Sequence, residues 1–461
     1  MTTPYPTLNA SAGAPARGEE GFEDYKRALN ANQARVEANR CLYCSDAPCI
    51  AACPTEINIP EFIRKIATGN ERGSAKTIFD SNILGQSCAR VCPVEVLCVG
   101  SCVYNHMGVP PIQIGQLQRY ATDRAHEEGW RFYEAGASTG RRVALVGAGP
   151  ASLAAAHELR RAGHGCVLFE RRPQVGGLNV TGVAPYKMKA DVGAREAEWV
   201  LGIGGVEVRA GVSVGAGEDV SFEDLEREFD AVFLGFGLGA DSRLEAEGAG
   251  VPGVWGAVEF IEAFKLSQVD LSGVREAVVV GGGNTAVDAV RELIGLGVPS
   301  VTMAYRRGED RMSGYAHEWR AAKVEGARGA WGLSPLGFER DAAGALRGVR
   351  LAEVDAACAP TGTERVLEAQ LALLAIGQSK LAGVLAGVEG LAVERGCVRV
   401  DAEGRAGRAG YFAGGDCANG GKEVVNAAAE GKRAARAIDA FLGAGGSLRA
   451  HNSRGATGAQ G

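Results

Sequence analysis

No stretch of about 18 or more apolar residues occurs anywhere in the 461-residue chain, so no membrane-spanning helix is read from it. Residues 1–20 lack a basic start followed by an apolar segment, so there is no sign of a secretory leader, and a cytoplasmic location is expected. An excess of charge of one sign is also missing. Against 49 Lys and Arg stand 55 Asp and Glu, and a net −6 gives no reason to expect nucleic acid or an anionic membrane as partner. Histidine is scarce: the six (His106, His126, His157, His164, His317 and His451) are dispersed, and no Ser–His–acid set is evident. The chain is long and apolar enough for two or three domains, each with its own core.

Cysteine, by contrast, is plentiful and unevenly placed. Of the twelve, eight fall between Cys41 and Cys102: Cys41, Cys44, Cys49 and Cys53-Pro54, then Cys88, Cys92-Pro93, Cys98 and Cys102. A disulfide framework conflicts with the absent leader and with the large nucleotide-binding chain that follows. Structural zinc is an alternative, because paired cysteines suit tetrahedral sites. Two iron–sulfur clusters are the preferred reading, since Cys-Pro occurs twice, at Cys53 and Cys92, in the manner of the ferredoxin-type pattern. Apolar residues at helical spacing between the two runs, as in Ile59–Ala67, make this module a small helical domain. Cys166, Cys358, Cys397 and Cys417 are scattered, and none forms the Cys-x2-Cys dithiol of a disulfide reductase.

Two stretches then read as strand, glycine turn and helix. In the first, Val143–Val146 runs into Gly147-Ala-Gly149-Pro150-Ala151. Gly147 permits the turn and Gly149 lets the backbone approach a pyrophosphate at the helix N-terminus. The next strand ends in Glu170, where a ribose needs an acceptor, and Gly176-Gly177-Leu178 follows. In the second, Ala277–Val280 leads into Gly281-Gly282-Gly283-Asn284-Thr285 and on to Asp288. The strand after it, Ser300–Tyr305, ends in Arg306-Arg307 where the first cradle has an acid; guanidinium groups there favour a 2′-phosphate, and a solvated strand end is the alternative. Ser152 and Ala286 stand where third glycines are usual. Farther on, a strand ends at Gly377, and Tyr411-Phe-Ala-Gly414-Gly415-Asp416 precedes a helix that starts near Val424 and Val425. Asp416 is placed to hold a flavin's ribityl and pyrophosphate, with the helix N-terminus toward the isoalloxazine; an N-cap role is the alternative.

Taken together, the Gly-Ala-Gly-Pro-Ala turn, the Gly-Gly-Gly-Asn-Thr-Ala-Val-Asp motif, the closing Ala-Gly-Gly-Asp and the cysteine runs resemble a known family. It is the flavoprotein reductases with two dinucleotide-binding domains, in the branch led by a double-cluster domain. This branch holds the glutamate synthase small subunit and the flavoprotein half of dihydropyrimidine dehydrogenases. The likeness to the latter rests on Cys41–Cys49, Asn82–Cys88, Leu97–Cys102 and Ile114–Thr122, and it spans about residues 24–445.

The resemblance implies an α/β fold in which a small helical double iron–sulfur domain precedes two Rossmann-like domains, the nicotinamide domain inserted in the FAD domain. The expected boundaries are disorder over 1–22, the iron–sulfur domain at 23–136, the FAD domain at 137–252 and 373–446, the NAD(P)H domain at 253–372, and a disordered tail at 447–461. It implies FAD, two [4Fe-4S] clusters and NAD(P)H as substrate. It assigns Cys41, Cys44, Cys49 and Cys102 to one cluster, Cys53, Cys92, Cys98 and Gln118 to the other, and leaves Cys88 free. The implied activity is electron input to pyrimidine reduction, with a separate FMN-barrel catalytic subunit in a hetero-oligomer. Two alternatives stand beside it: a glutamate synthase small subunit, in which the position of Gln118 is typically an acid, and a zinc-bearing scaffold with degenerate nucleotide folds.

Overall fold

The computed structural model describes residues 17–449 apart from Gln268 and Gly387, so residues 1–16 and 450–461 of the expected disordered ends lie outside the described residues. The leading domain is helical. Asn30, Asn58 and Asn70 each accept the N–H of the third residue of the helix they open, which fixes the starts of Ala31–Asn39, Ile59–Ala67 and Glu71–Ser81. These helices close with Gly85–Val91 and Ile114–Glu127 over a core that includes Phe62, Ile63, Ile78, Leu117 and Ala121. Each such Phe or Ile contributes about 1.5–3 kcal/mol through burial.

The segment that follows the last helix of this domain does structural duty. Phe132 packs on Phe79, Tyr133 donates its hydroxyl to Asp80 at 2.8 Å and its ring meets His157, and the Trp199 indole N–H donates to Trp130 O at 3.2 Å. Aromatic surface of this size is too costly to leave in water, so the segment glues the helical domain to the next one.

That next domain is a parallel sheet ordered Tyr411–Ala413, Ala231–Leu234, Arg142–Val146, Gly165–Glu170, Val206–Ala210. Its central strands are apolar and buried from Val143 to Val146 and from Ala231 to Leu234, as expected where helices cover both faces. Tyr411–Ala413 pairs with Val232–Leu234 although some 180 residues separate them, and a second parallel sheet occupies the interval. The order there is Val254–Gly256, Leu371–Leu374, Glu276–Val280, Ser300–Tyr305, Arg328–Trp331. A three-stranded antiparallel sheet, Leu333–Arg340, Leu346–Val354 and Pro360–Glu368, is added to it; nothing in the sequence reading anticipated that sheet.

The described residues of both expected disordered ends, 17–22 and 447–449, are packed. Gly18–Gly21 forms a single turn against the inserted domain: Gly18 N–H donates to Ser267 O, Glu19 is fully buried and accepts the Ala190 N–H, and Phe22 meets Phe264 edge-on. At the other end Ser447 donates to Asp230 at 2.7 Å, Arg449 pairs with the same carboxylate, and Leu448 is buried. Short polar segments look solvated when read alone. Here a buried carboxylate in each case supplies a partner far away in sequence.

Candidate active site

A cleft of about 920 Å³ runs between the two sheet domains and reaches the helical one. Gly147, Gly149, Pro150, Ala151, Glu170, Gly177, Leu178, Gly415, Asp416 and Val424 all line it. Gly147 has φ +91°, and a Cβ there would sit 2.6 Å from Gly235 O, so only glycine fits. At Gly149 a Cβ would meet nothing within 4 Å and would project into the cleft, the open cradle that a pyrophosphate needs. Ser152 is tolerated in place of a third glycine because Gly235 across from it lacks a side chain: a Cβ on Gly235 would be 2.2 Å from the Ser152 hydroxyl.

Glu170 is held at its strand end by the N–H groups of Ala148 and Arg172, each at 2.9 Å. Asp416 is the first residue of a four-residue helix. It does not act as an N-cap; it accepts the Lys422 N–H at 3.2 Å, and burial raises its pKa. The loop that presents it depends on Glu430, which accepts from Gly415 N–H at 2.7 Å and from the Asn419 amide at 2.9 Å. Sequence reasoning missed Glu430, one of two acids in an alanine-rich helix. Val425 points away from the cleft and is buried in the core.

The second cradle opens onto the same space. Asn284, Thr285 and Asp288 line the cleft; Gly282, Gly283, Gly377, Arg306 and Arg307 do not. Tyr305 covers Gly282 so closely that a Cβ would lie 2.6 Å from its ring, and Asn284 accepts the Tyr315 N–H at 2.9 Å. Arg306 is exposed and Arg307 partly buried at the strand end, beside the Cys358 thiol, which donates to Arg306 O at 3.5 Å.

The eight clustered cysteines separate into two groups. Cys41, Cys44, Cys49 and Cys102 line one small apolar cavity with Ile59 and Ile63. Burial pushes the Cys49 thiol up to about 11, and the neighbouring Cys41 and Cys102 add to the shift. The second group gathers around Cys98, whose pKa burial raises with help from Cys92 and Cys53. Cys92 is raised by a hydrogen bond with Cys88 and by burial. Gln118 is buried nearby and donates to Gly85 O at 2.8 Å. Among the described residues no three His, Cys, Asp or Glu side chains converge tightly enough to hold a single ion. Thiols lining a cavity suit a larger inorganic cluster better than zinc, whose sulfur ligands stand about 2.3 Å from one centre. Val91 and Pro93, on either side of Cys92, line the nucleotide cleft itself.

Comparison with known proteins agrees with this arrangement. Residues 18–130 match the family "Dihydropyrimidine dehydrogenase domain II, 4Fe-4S cluster", and residues 141–431 match "Pyridine nucleotide-disulphide oxidoreductase". The chain belongs to the pyridine nucleotide-disulphide oxidoreductases. It is 34% identical to the glutamate synthase [NADPH] small chain of Escherichia coli K12, over 91% of this chain and 94% of that one. It is 33% identical to the NAD-dependent dihydropyrimidine dehydrogenase subunit PreT of the same organism, over 88% and 93%. Among solved structures, Mycobacterium tuberculosis FprA in complex with NADPH aligns over 66% of this chain and 85% of its own, with a TM-score of 0.54 at 21% identity, a likeness of fold. This member of the family is thus an NAD(P)H-dependent flavoprotein oxidoreductase with FAD and an iron–sulfur domain, as the motifs led one to expect.

In this oxidoreductase largely buried charge ties the two walls of the cleft together. Lys187 of the FAD domain reaches Asp288 at 2.8 Å and Glu318 at 2.9 Å, both on the nicotinamide domain, and Tyr186 donates to Asp288 at 2.5 Å. Asp288, read from sequence as cofactor-binding, is thereby engaged by protein groups. Tyr315 donates to Glu423 at 2.7 Å, tying the same domain to the start of the C-terminal helix. Burial opposes the charge on Lys187, but Asp288, Tyr186 and Glu318 outweigh it and hold the ammonium well above its ordinary pKa. Lys187→Met would leave these carboxylates buried together without their cation. The expected loss is about 3–5 kcal/mol in urea or thermal unfolding; a loss below about 1 kcal/mol would show the group to be solvent-screened.

Proposed function

We propose that this chain is the electron-input subunit of a dihydropyrimidine dehydrogenase, working in the cytoplasm with a separate FMN-barrel subunit that converts uracil or thymine to the 5,6-dihydro form. The observation that carries the reading is the helical domain, which matches a dihydropyrimidine dehydrogenase domain over its whole length and brings Val91 and Pro93 into the nucleotide cleft. FAD held there would supply the chemistry that couples a nicotinamide to iron–sulfur clusters, hydride acceptance from NAD(P)H and one-electron release.

The chain's own residues position and insulate. Glu170 is placed to hold the adenosine ribose, Gly149 and the helix from Pro150 the pyrophosphate, and Asp416 the ribityl chain. Gly415 and the start of the Val424–Gly443 helix would face the isoalloxazine, while Gly282, Gly283, Asn284 and Thr285 would cradle the nicotinamide nucleotide. Arg306 and Arg307 are assigned to a 2′-phosphate, so Arg306→Ala is expected to raise the KM for NADPH and spare NADH; equal effects on both would remove the assignment.

For the clusters, the proposed ligands are Cys41, Cys44, Cys49 and Cys102 for one, and Cys53, Cys92, Cys98 and Gln118 for the other. The Gln118 amide nitrogen is occupied by Gly85 O, which leaves its carbonyl oxygen as the ligating atom. Cys88, though beside Cys92, stays free. Cys88→Ser should keep full iron content and Cys92→Ser should lose about half of it, one cluster of two. Loss of a cluster in Cys88→Ser would move the ligand role from Gln118 to Cys88.

A glutamate synthase small chain is the second reading, favoured by 34% identity over nearly the whole of that relative. One experiment separates them. Alone, the purified chain should pass electrons from NAD(P)H to artificial acceptors without turning over uracil, and adding the FMN-barrel subunit should switch on uracil-dependent NAD(P)H oxidation. Uracil turnover by the isolated chain, or recovery from cells of a glutamine-hydrolysing partner, would overturn the pyrimidine reading.

A further inference from the structure

The cysteine-bearing helix Gly85–Val91 has no cap of its own, because Leu84 precedes it and an apolar side chain accepts no hydrogen bond. Its first N–H groups are taken by Glu196, on the FAD-domain helix Ala190–Leu201. Oε1 accepts the Gln86 N–H at 2.8 Å and the Ser87 N–H at 3.1 Å, while Oε2 accepts the Ser87 N–H at 3.2 Å and the Ser87 hydroxyl. Glu196 is 1% exposed, so these bonds replace all of its hydration.

From the other side the helix is tied to its own domain. Gln86 and Arg90 both donate to Asp123 at 2.8 Å, and Gly85 O receives the Gln118 amide. Where the helix ends, Val91 and Pro93 line the cleft and Cys92 lies between them. One short rod therefore has its start fixed by the FAD domain and its end at the boundary between the cleft and the second cysteine group.

We propose that Glu196 is a positioning residue for electron transfer: by fixing the start of Gly85–Val91 against the FAD domain it sets the separation between the flavin cleft and the group of Cys53, Cys92 and Cys98. It touches neither cofactor site. In the step it serves, two electrons that enter as one hydride leave one at a time, each reducing an oxidised cluster, and the accompanying proton is released to water. The inference rests on the reading that electrons leave through the helical domain.

The test uses the flavin- and iron-loaded protein with Glu196→Gln, Glu196→Asp and Ser87→Ala. Glu196→Gln keeps the size but turns an amide NH₂ toward two donors, Glu196→Asp is too short to reach both, and Ser87→Ala removes a single bond. In anaerobic stopped flow with NADH, bleaching of the flavin should keep its rate in all three. The later loss of iron–sulfur absorbance should slow several-fold in Glu196→Gln and less in the other two. Hydrogen–deuterium exchange of the Gln86 and Ser87 amides should rise about tenfold, as loss of one hydrogen bond allows. An unchanged second phase despite faster exchange, or an equal fall of both phases, would overturn the proposal. If Glu196→Gln does not retain iron, Ser87→Ala decides by the same two phases. Wild-type protein whose flavin is bleached by NADH or NADPH while its iron–sulfur absorbance responds to neither would instead overturn the underlying reading.

Discussion

Everything in the flavin half of this protein depends on one contact, that of Gly431 with Ala151. A Cβ on Gly431 would stand 2.0 Å from Ala151 O, so the helices Val424–Gly443 and Pro150–Arg161 cross with their backbones touching. That crossing brings residues more than 250 positions apart onto one face: the glycine cradle from the start of the domain, and Gly415, Asp416 and Val424 from its end. Neither half alone holds a complete nucleotide site.

Buried charge settles how the remaining parts meet. Each of the three joints uses ionic or carboxylate groups that are buried or largely shielded from water: Glu196 between the FAD domain and the cysteine helix, Lys187 with Asp288 and Glu318 between the two nucleotide domains, and Lys265 donating to Val183 O and Met188 O near Glu19. Apolar interfaces of similar area would hold as well, but they would slide. Directional bonds to a buried charge select one register, and a fixed separation is what a chain of redox centres requires.

What the sequence disclosed and what it withheld follow the same division. Gly147, Gly149, Glu170 and Asp416 were legible because a strand, a tight turn and a helix start constrain a few adjacent residues severely, and the cysteine spacing is legible for a similar reason. Glu430, Lys187 and Glu196 were not, since each acquires its role from a partner 11 to 131 residues away or more and leaves no local pattern. The buried turn at Gly18–Gly21 and the packed Ser447–Arg449 read as polar ends for the same reason. Asp288 shows the converse: a motif position taken for a nucleotide contact is engaged by Lys187 and Tyr186, groups that the motif does not contain. The antiparallel sheet was missed because Pro360–Glu368 is almost wholly exposed and polar, with little alternation to betray a strand.

The central claim is that electrons enter this molecule in pairs at the cleft and leave singly through the helical domain. Anaerobic titration of the purified, iron-loaded protein with NADH and with NADPH, followed by visible absorption and low-temperature electron paramagnetic resonance, tests it most directly. Uptake of more than two electrons per FAD, with loss of iron–sulfur absorbance and a resonance from reduced clusters, is the predicted result. Uptake that stops at two electrons, with the flavin bleached and the clusters still oxidised, would contradict it.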